Sequence, residues 1–258
     1  MTYPILEFDD NPEAIIMPRS DATVPPRARC CVICFSQSVV SGAARELGAA
    51  TVAEIPTVAG PVPVYEADID GAPTAFCIGG VGAPMAAAIL EKTIAMGYSH
   101  FVACGSCGVI DSAIPSGHLL VPTAAVRDEG TSYHYAAASD RIDAQSRAVT
   151  VITEFLEESG VPFDKVTTWT TDAFFRETKE RIARRAAQGC SVVEMEAAAL
   201  FAVARFRGVE LGQILYAGDD VGGETWDRRN WQIADADTQT HVFELSVRAC
   251  HRMLATSR

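Results

Sequence analysis

The segment VVEMEAAAL, residues 192–200, sets two glutamates, Glu194 and Glu196, two positions apart between a valine pair and an alanine-rich run. The valines suit the end of a buried strand, and the apolar run from Ala197 suits the start of a helix. Both carboxylates therefore fall at the carboxyl end of a strand, the rim on which α/β sheets bind ligands. A carboxylate held there accepts two hydrogen bonds at once, which matches the neighbouring hydroxyls of a sugar ring. The same acids would also suit an ordinary helix N-terminus, where the macrodipole favours negative charge. A second acidic element, Asp219-Asp220, ends the largely apolar stretch ELGQILYAG.

Glycines and serines supply further candidates. Gly79, Gly80 and Gly82 make a turn ahead of a helix with Pro84 in its first turn, and main-chain N–H groups at such a terminus can bind an anion. Ser106 lies just past the expected strand SHFVACG, and Ser36 to Ser38 lie just past ARCCVICF. The eight cysteines include two CxxC pairs, Cys31/Cys34 and Cys104/Cys107. A four-thiolate zinc site sets its pairs closer together and among polar residues. Here they lie in strand-like apolar contexts, which reads as reduced, buried cysteine and no metal.

The elements that must carry these residues follow from hydrophobic pattern and turn chemistry. Residues 1–27, with Pro4, Pro12, Pro18, Pro25 and Pro26, read as an arm, and residues 28–258 as one domain. Strands are expected at 28–35, 51–58, 62–69, 73–79, 99–105, 117–126, 165–175 and 210–220. Helices are expected at 39–48, 79–97, 143–160, 176–189, from Ala197, and from about Ala234 to Leu254. In the helix after Phe175, Glu177 and Arg181, and Glu180 and Arg184, are spaced for i,i+4 pairing on a solvated face. Residues 127–135 and 225–231 read as polar, aromatic loops. This alternation implies a largely parallel sheet with helices on both faces. Ser36, Gly80, Gly82, Ser106, Phe174, Glu194 and Asp219 then share one rim, which points to a pocket.

Composition narrows the class. The chain has 258 residues, 48% of them hydrophobic, and a net charge of −12. That charge argues against a nucleic-acid partner. No stretch reaches the roughly 18 apolar residues of a membrane span, and the acidic start MTYPILEFDD lacks a basic-then-apolar leader, so a cytoplasmic protein with no membrane contact is expected.

The motifs GGVGAP, CGSCGVI, GHLLVPTAAVRDEG, TDAFF, VEMEAA and AGDD occur in an order and at separations that resemble the nucleoside phosphorylase-I family. That family holds bacterial purine nucleoside phosphorylases, uridine phosphorylases and methylthioadenosine/adenosylhomocysteine nucleosidases, and the likeness runs from about residue 28 to the C-terminus. The resemblance implies a three-layer α/β/α single domain with a mostly parallel mixed central sheet. It implies cleavage of a nucleoside's N-glycosidic bond, with inorganic phosphate as co-substrate and no metal or organic cofactor. Glu194, Met195 and Glu196 would line the ribose, Glu196 taking both ring hydroxyls. Phe174 would stack on the base, the main chain at Val193 would touch it, and Asp219 would protonate a purine's imidazole nitrogen. Gly80, Gly82, Ser106 and Arg127 would hold phosphate. A homo-oligomer, whether dimer, trimer or hexamer, is expected.

The departures from the family pattern are specific. Val39 and Ala103 stand where phosphorolytic members carry arginines, and Gln37 stands where hydrolytic members carry a glutamate. Thr178 and Glu180 replace the glutamine and arginine of uridine-specific members. No histidine occurs near the N-terminus, His134 being the nearest replacement, and Arg228 or Arg229 could partner Asp219. Arg176 is a further cation that could approach phosphate. The expected activity is that of a purine-leaning nucleoside phosphorylase, a pentosyltransferase. A phosphate-independent nucleosidase and a catalytically silent nucleoside-binding protein remain as alternatives. A nicotinamide-dependent oxidoreductase is disfavoured because GGVGAP lacks the third glycine of a dinucleotide fingerprint.

Overall fold

The computed structural model describes residues 3–229 and 236–257. Its strands are β1 (Cys30–Cys34), β2 (Ala50–Ile55), β3 (Val62–Ile69), β4 (Ala72–Ile78), β5 (His100–Val109), β6 (Leu119–Asp128), β7 (Arg141–Asp143), β8 (Phe163–Thr171), β9 (Cys190–Glu194) and β10 (Glu210–Asp220). Its helices are α1 (Gln37–Glu46), α2 (Ala83–Met96), α3 (Ser146–Glu158), α4 (Lys179–Ala187), α5 (Ala197–Arg207) and α6 (Ala236–Thr256). The Ala234 start expected for the last helix, and Asn230 and Trp231 of the expected loop, lie outside the described residues. None of the described helices is long and apolar enough to cross a membrane.

Apolar runs became strands wherever both faces could be covered. All five residues of β1 are buried, and β1 lies parallel between β4 and β5. β2, β3 and β4 form an antiparallel meander, with Asp70-Gly71 turning between β3 and β4. Helices α2 and α5 cover one face of the sheet around Ile89, Leu90, Leu200 and Phe201. Helices α1, α3 and α6 cover the other around Val40, Ile152, Leu156, Phe243 and Met253. The three layers are those expected.

One feature has no counterpart in the linear pattern. The sheet closes on itself at one end: β5 pairs with β10 and β9, β10 with β6, β6 with β8, and β8 with β9. Two of these joins are antiparallel and only two residue pairs long, Leu215↔Leu120 with Tyr216↔Leu119, and Gly108↔Val193 with Val109↔Val192. The ring is filled by its own inward side chains, Cys107, Val109, Leu120, Val166, Val192, Leu215 and Ala217. Contacts this short, between strands far apart in sequence, leave no periodic signal.

Several local expectations are corrected. β5 runs on to Val109, so Ser106 lies within the strand rather than beyond it. β6 runs on to Asp128, taking in the start of the expected 127–135 loop. The Glu177–Arg181 pairing gives way to a better acceptor. Asp128 Oδ2 takes hydrogen bonds from Arg181 (2.5 Å), Arg185 (2.7 Å) and the Trp169 indole (2.9 Å). A half-buried carboxylate with three donors outcompetes a single i,i+4 partner. The eight cysteines are all buried and free.

The segment before β1 crosses the surface as a strap. Thr23 N–H donates to Val52 O (2.8 Å) and Ala22 bridges to Ala53, both on β2. Arg207 reaches Pro12 O (2.9 Å), and Lys92 pairs with Asp21 (2.7 Å).

Candidate active site

The β9–α5 junction is built around two glutamates with different tasks. Glu194 Oε1 accepts from Thr170 (2.6 Å) and Thr168 (3.2 Å), while Oε2 accepts from the main-chain N–H of Glu196 (2.7 Å) and Ala197 (2.6 Å). A carboxylate offers about four acceptor positions, and all are filled. Glu194 thus caps α5 and ties it to β8, with its acceptor positions taken up inside the chain rather than left for the ribose expected there. Thr168 and Thr170 reach it because β8 and β9 run parallel with Thr170 opposite Glu194.

Glu196 is held differently. Its Oε1 accepts from Gly82 N–H (2.6 Å) and its Oε2 from Met195 N–H (3.3 Å). Each oxygen keeps acceptor capacity, as a pair of ribose hydroxyls requires. Gly82 can present its N–H from the N-cap of α2 because its φ of +92° suits glycine. Burial, then the charge of Glu194, pushes the Glu196 carboxyl up to about 8. Burial likewise raises Glu194, against the pull of its hydrogen bonds. Met195, between them, is half-buried.

The second acid arrives from β10 through a bulge. The β10–β5 register shifts between Ala217 and Asp220, and an extra residue of this kind re-aims side chains. Asp219 consequently faces Gly108 while Asp220 turns inward. A Cβ on Gly108 would lie 3.0 Å from Val193 Cγ1 and 3.5 Å from Asp219 Oδ1, with Val221 just beyond. The missing side chain is what lets Val193 and Asp219 share one face. The thiol of Cys107, next door, is raised well above its ordinary value by burial and by the charges of both Glu194 and Asp219. Glu194 and Asp219, distant in sequence, thus both act on this one buried thiol.

Asp219 has an unexpected partner. Its Oδ2 accepts from the Trp226 indole N–H at 2.6 Å. Arg229 instead pairs with Asp220 Oδ2 (2.9 Å), and Ser112 Oγ donates to Asp220 Oδ1 (3.0 Å). Arg228 lies over the Trp226 ring at 4.8 Å. Neither arginine takes the role offered for it.

Phe174 opens a short 3-10 turn (Phe174–Arg176) after β8, half exposed, with its ring 4.1 Å from that of Phe175. Glu177 follows directly. Burial, then the charge of Asp219, pushes its carboxyl up to about 7. Lys179, at the start of α4, pairs with Glu224 at 2.7 Å.

The expected phosphate end is sparse. Phe35 packs against Gly79 and Gly105. Ser36 Oγ donates to Gln239 (2.6 Å) and lies 3.1 Å from Ser38 Oγ. Val39 is buried in the core, and Gly82 N–H is already engaged by Glu196. Among the described residues, none of Ser36, Ser38, Gly80, Gly82 and Ser106 hydrogen-bonds an arginine or lysine. Arg127 does not fill the gap. Its guanidinium donates to Ser132 Oγ (2.8 Å), Ala137 O (2.7 Å), Ser139 Oγ (2.8 Å) and Ala136 O (3.1 Å), and it lies 4.0 Å from the Tyr133 ring centre. It orders residues 132–139, and these contacts engage the guanidinium within the chain rather than leave it open for the phosphate expected there. His134 is exposed in a depression shared with Pro84, Gly130, Tyr135 and Asp172, with Ile5 from the strap against Gly130.

Four contributors escaped the sequence reading: Gly108, the Thr168/Thr170 pair, Glu177 and Trp226. The alternation in TTWTT could have flagged the threonines as one face of a strand. Nothing local marks the other three.

A family model described as the phosphorylase superfamily matches residues 29–255. The guanosine phosphorylase of Halorubrum lacusprofundi is 29% identical over 170 residues, spanning 64% of this chain and 70% of that protein. The uridine phosphorylase of Escherichia coli is 26% identical over 208 residues, spanning 74% and 79%. A crystal structure of uridine phosphorylase from Vibrio fischeri superposes with a TM-score of 0.74 at 23% identity, covering 95% of this chain and all of that one, and shares its fold.

Proposed function

The chain belongs to the phosphorylase superfamily, and on that premise we propose that it cleaves the N-glycosidic bond of a ribonucleoside, purine-leaning, with phosphate as the nucleophile. The observation that carries this reading is Glu196: a buried carboxylate with one main-chain donor on each oxygen. In the reaction the bond from the sugar C1′ to the base nitrogen breaks, and a phosphate oxygen bonds to C1′. Glu196 accepts from the two ribose hydroxyls. Donors arriving there favour its charged form, and that charge stabilises the oxocarbenium-like sugar. Asp219 passes a proton to the ring nitrogen of the leaving base, so that it departs neutral. Phe174 stacks on the base, and the main chain at Val193 lies beside it. The chemistry calls for no metal or organic cofactor.

The purine preference rests on Asp219 and on Thr178 and Glu180 standing where uracil donors are expected; the named relatives include both guanosine and uridine phosphorylases. The phosphate end favours one second reading, hydrolysis. Charge-assisted bonds are roughly twice as strong as neutral ones, and the serines and glycines there offer only neutral donors. The deciding experiment incubates the protein with inosine, guanosine, adenosine, uridine and methylthioadenosine, with and without phosphate, and separates ribose 1-phosphate from free ribose. Phosphate-dependent ribose 1-phosphate is the expected product. Free ribose at equal rates without phosphate would replace phosphorolysis with hydrolysis, and no cleavage of any nucleoside would leave a binding protein. A homo-oligomer is proposed on the exposed apolar mouth, where Phe175 is 88% and Val81 74% exposed, and sedimentation velocity would test it.

A further inference from the structure

We propose that Trp226 is the positioning residue of the proton-donating acid, its neutral indole orienting Asp219 so that Oδ1 alone is left to serve the base. The inference rests on the acid role given to Asp219 above and adds the group through which that role is set. Three observations point the same way. The indole N–H donates to Asp219 Oδ2 at 2.6 Å, the one hydrogen bond that the described residues place on this carboxylate. The nearby guanidinium groups are occupied elsewhere, Arg229 on Asp220 Oδ2 and Ile114 O, and Arg228 on the outer face of the indole. The other oxygen, Oδ1, lies over Gly108 beside Val193, where the base is expected.

The loop that carries Trp226 is built to return it to one place. Asp220 and Asp227 exchange both main-chain hydrogen bonds, Asp220 N–H to Asp227 O at 2.8 Å and Asp227 N–H to Asp220 O at 3.0 Å. Val221 N–H donates to Val109 O at 3.0 Å, and Gly222 N–H to Asp220 Oδ1 at 2.8 Å. Lys179, at the start of α4, and Glu224, at the loop tip, form a solvent-exposed ion pair at 2.7 Å. Asp220 is thus the anchor of the loop and Asp219 its cargo. An indole has a single donor and no titration of its own. It fixes which oxygen faces the substrate and adds no charge to the pocket, unlike a guanidinium.

The test is a double-mutant cycle. Trp226→Phe leaves an aromatic ring facing Arg228 and removes the indole N–H together with the pyrrole half of the bicycle. On inosine or guanosine it is expected to lower kcat about ten- to a hundredfold, with KM little changed, and to move a limb of the kcat–pH profile. On uridine the loss should be small. Combined with Asp219→Asn, the second substitution should cost almost nothing more, because the two act as a unit. A Trp226→Phe protein with wild-type kcat and pH profile, or strictly additive losses, overturns the proposal while leaving the acid assignment standing. Asp219→Asn with undiminished purine turnover overturns both. Tryptophan emission reads the contact without turnover: Asp219→Ala should shift the wild-type spectrum and leave that of Trp226→Phe unmoved. An unshifted wild-type spectrum rejects the contact even in a protein that cleaves nothing.

Discussion

At the sugar end of the cleft, Glu194 and Glu196 together take six donors, four from the main chain and two from threonines on a neighbouring strand. At the base end, Asp219 takes one, from a tryptophan on a loop. The first arrangement is written into the strand–helix junction and can vary little without disturbing α5. The second hangs on side chains that can change singly. On the proposed reading, recognition common to every nucleoside belongs to the first end and discrimination among bases to the second.

Substitutions at the two ends should accordingly fail in different ways. The largest effect is expected from Glu196→Gln, which should cut kcat by about 10³-fold for every nucleoside alike. A loss confined to purines would merge the two ends into one. Because the raised carboxyl keeps its proton longer in the folded state than in the unfolded one, Glu196 costs stability as pH rises toward about 8. The same variant should therefore melt higher than wild type at pH 8 by calorimetry. Next in size, Asp219→Asn should lower purine turnover about 10²-fold and uridine turnover far less. Equal losses on inosine and uridine would remove the acid assignment. Thr170→Val should act on folding first. It deletes the donor to Glu194 and the acceptor for Ala198 N–H, and should cost about 1–3 kcal/mol in chemical denaturation.

The smallest effect concerns Glu177. Its carboxyl, pushed up to about 7, binds a proton in the folded state over a range where the unfolded chain has released it. Stability should therefore fall as pH rises from the ordinary carboxylate range through about 7. Glu177→Gln should flatten that part of a melting-temperature profile. An unchanged slope would place Glu177 in solvent, away from Asp219.

Much of this was legible because strands buried on both faces and helices closed by glycine announce themselves locally. ARCCVICF, VVEMEAAAL and the Gly97 stop of α2 are examples. The rim was legible for the same reason, since strand ends locate it. Roles that depend on what a side chain meets were not. Glu194 and Glu196 look equivalent in sequence, yet register with β8 gives one of them to the fold. Arg127 looks like a free cation, yet residues 132–139 curl around it. The separation of Asp219 from Asp220 depends on a bulge, and Trp226 on a loop that returns to that bulge. Neither leaves a periodic trace.

Closing the ring of β5, β10, β6, β8 and β9 also decides where the molecule is vulnerable to its own kind. That end of the sheet presents no open ladder beyond the three residues of β7. The open edge sits at the far side, along β2, where, among the described residues, Ala22 and Thr23 pair with it. Clipping those residues away would bare more of that edge as a template for strand-to-strand pairing.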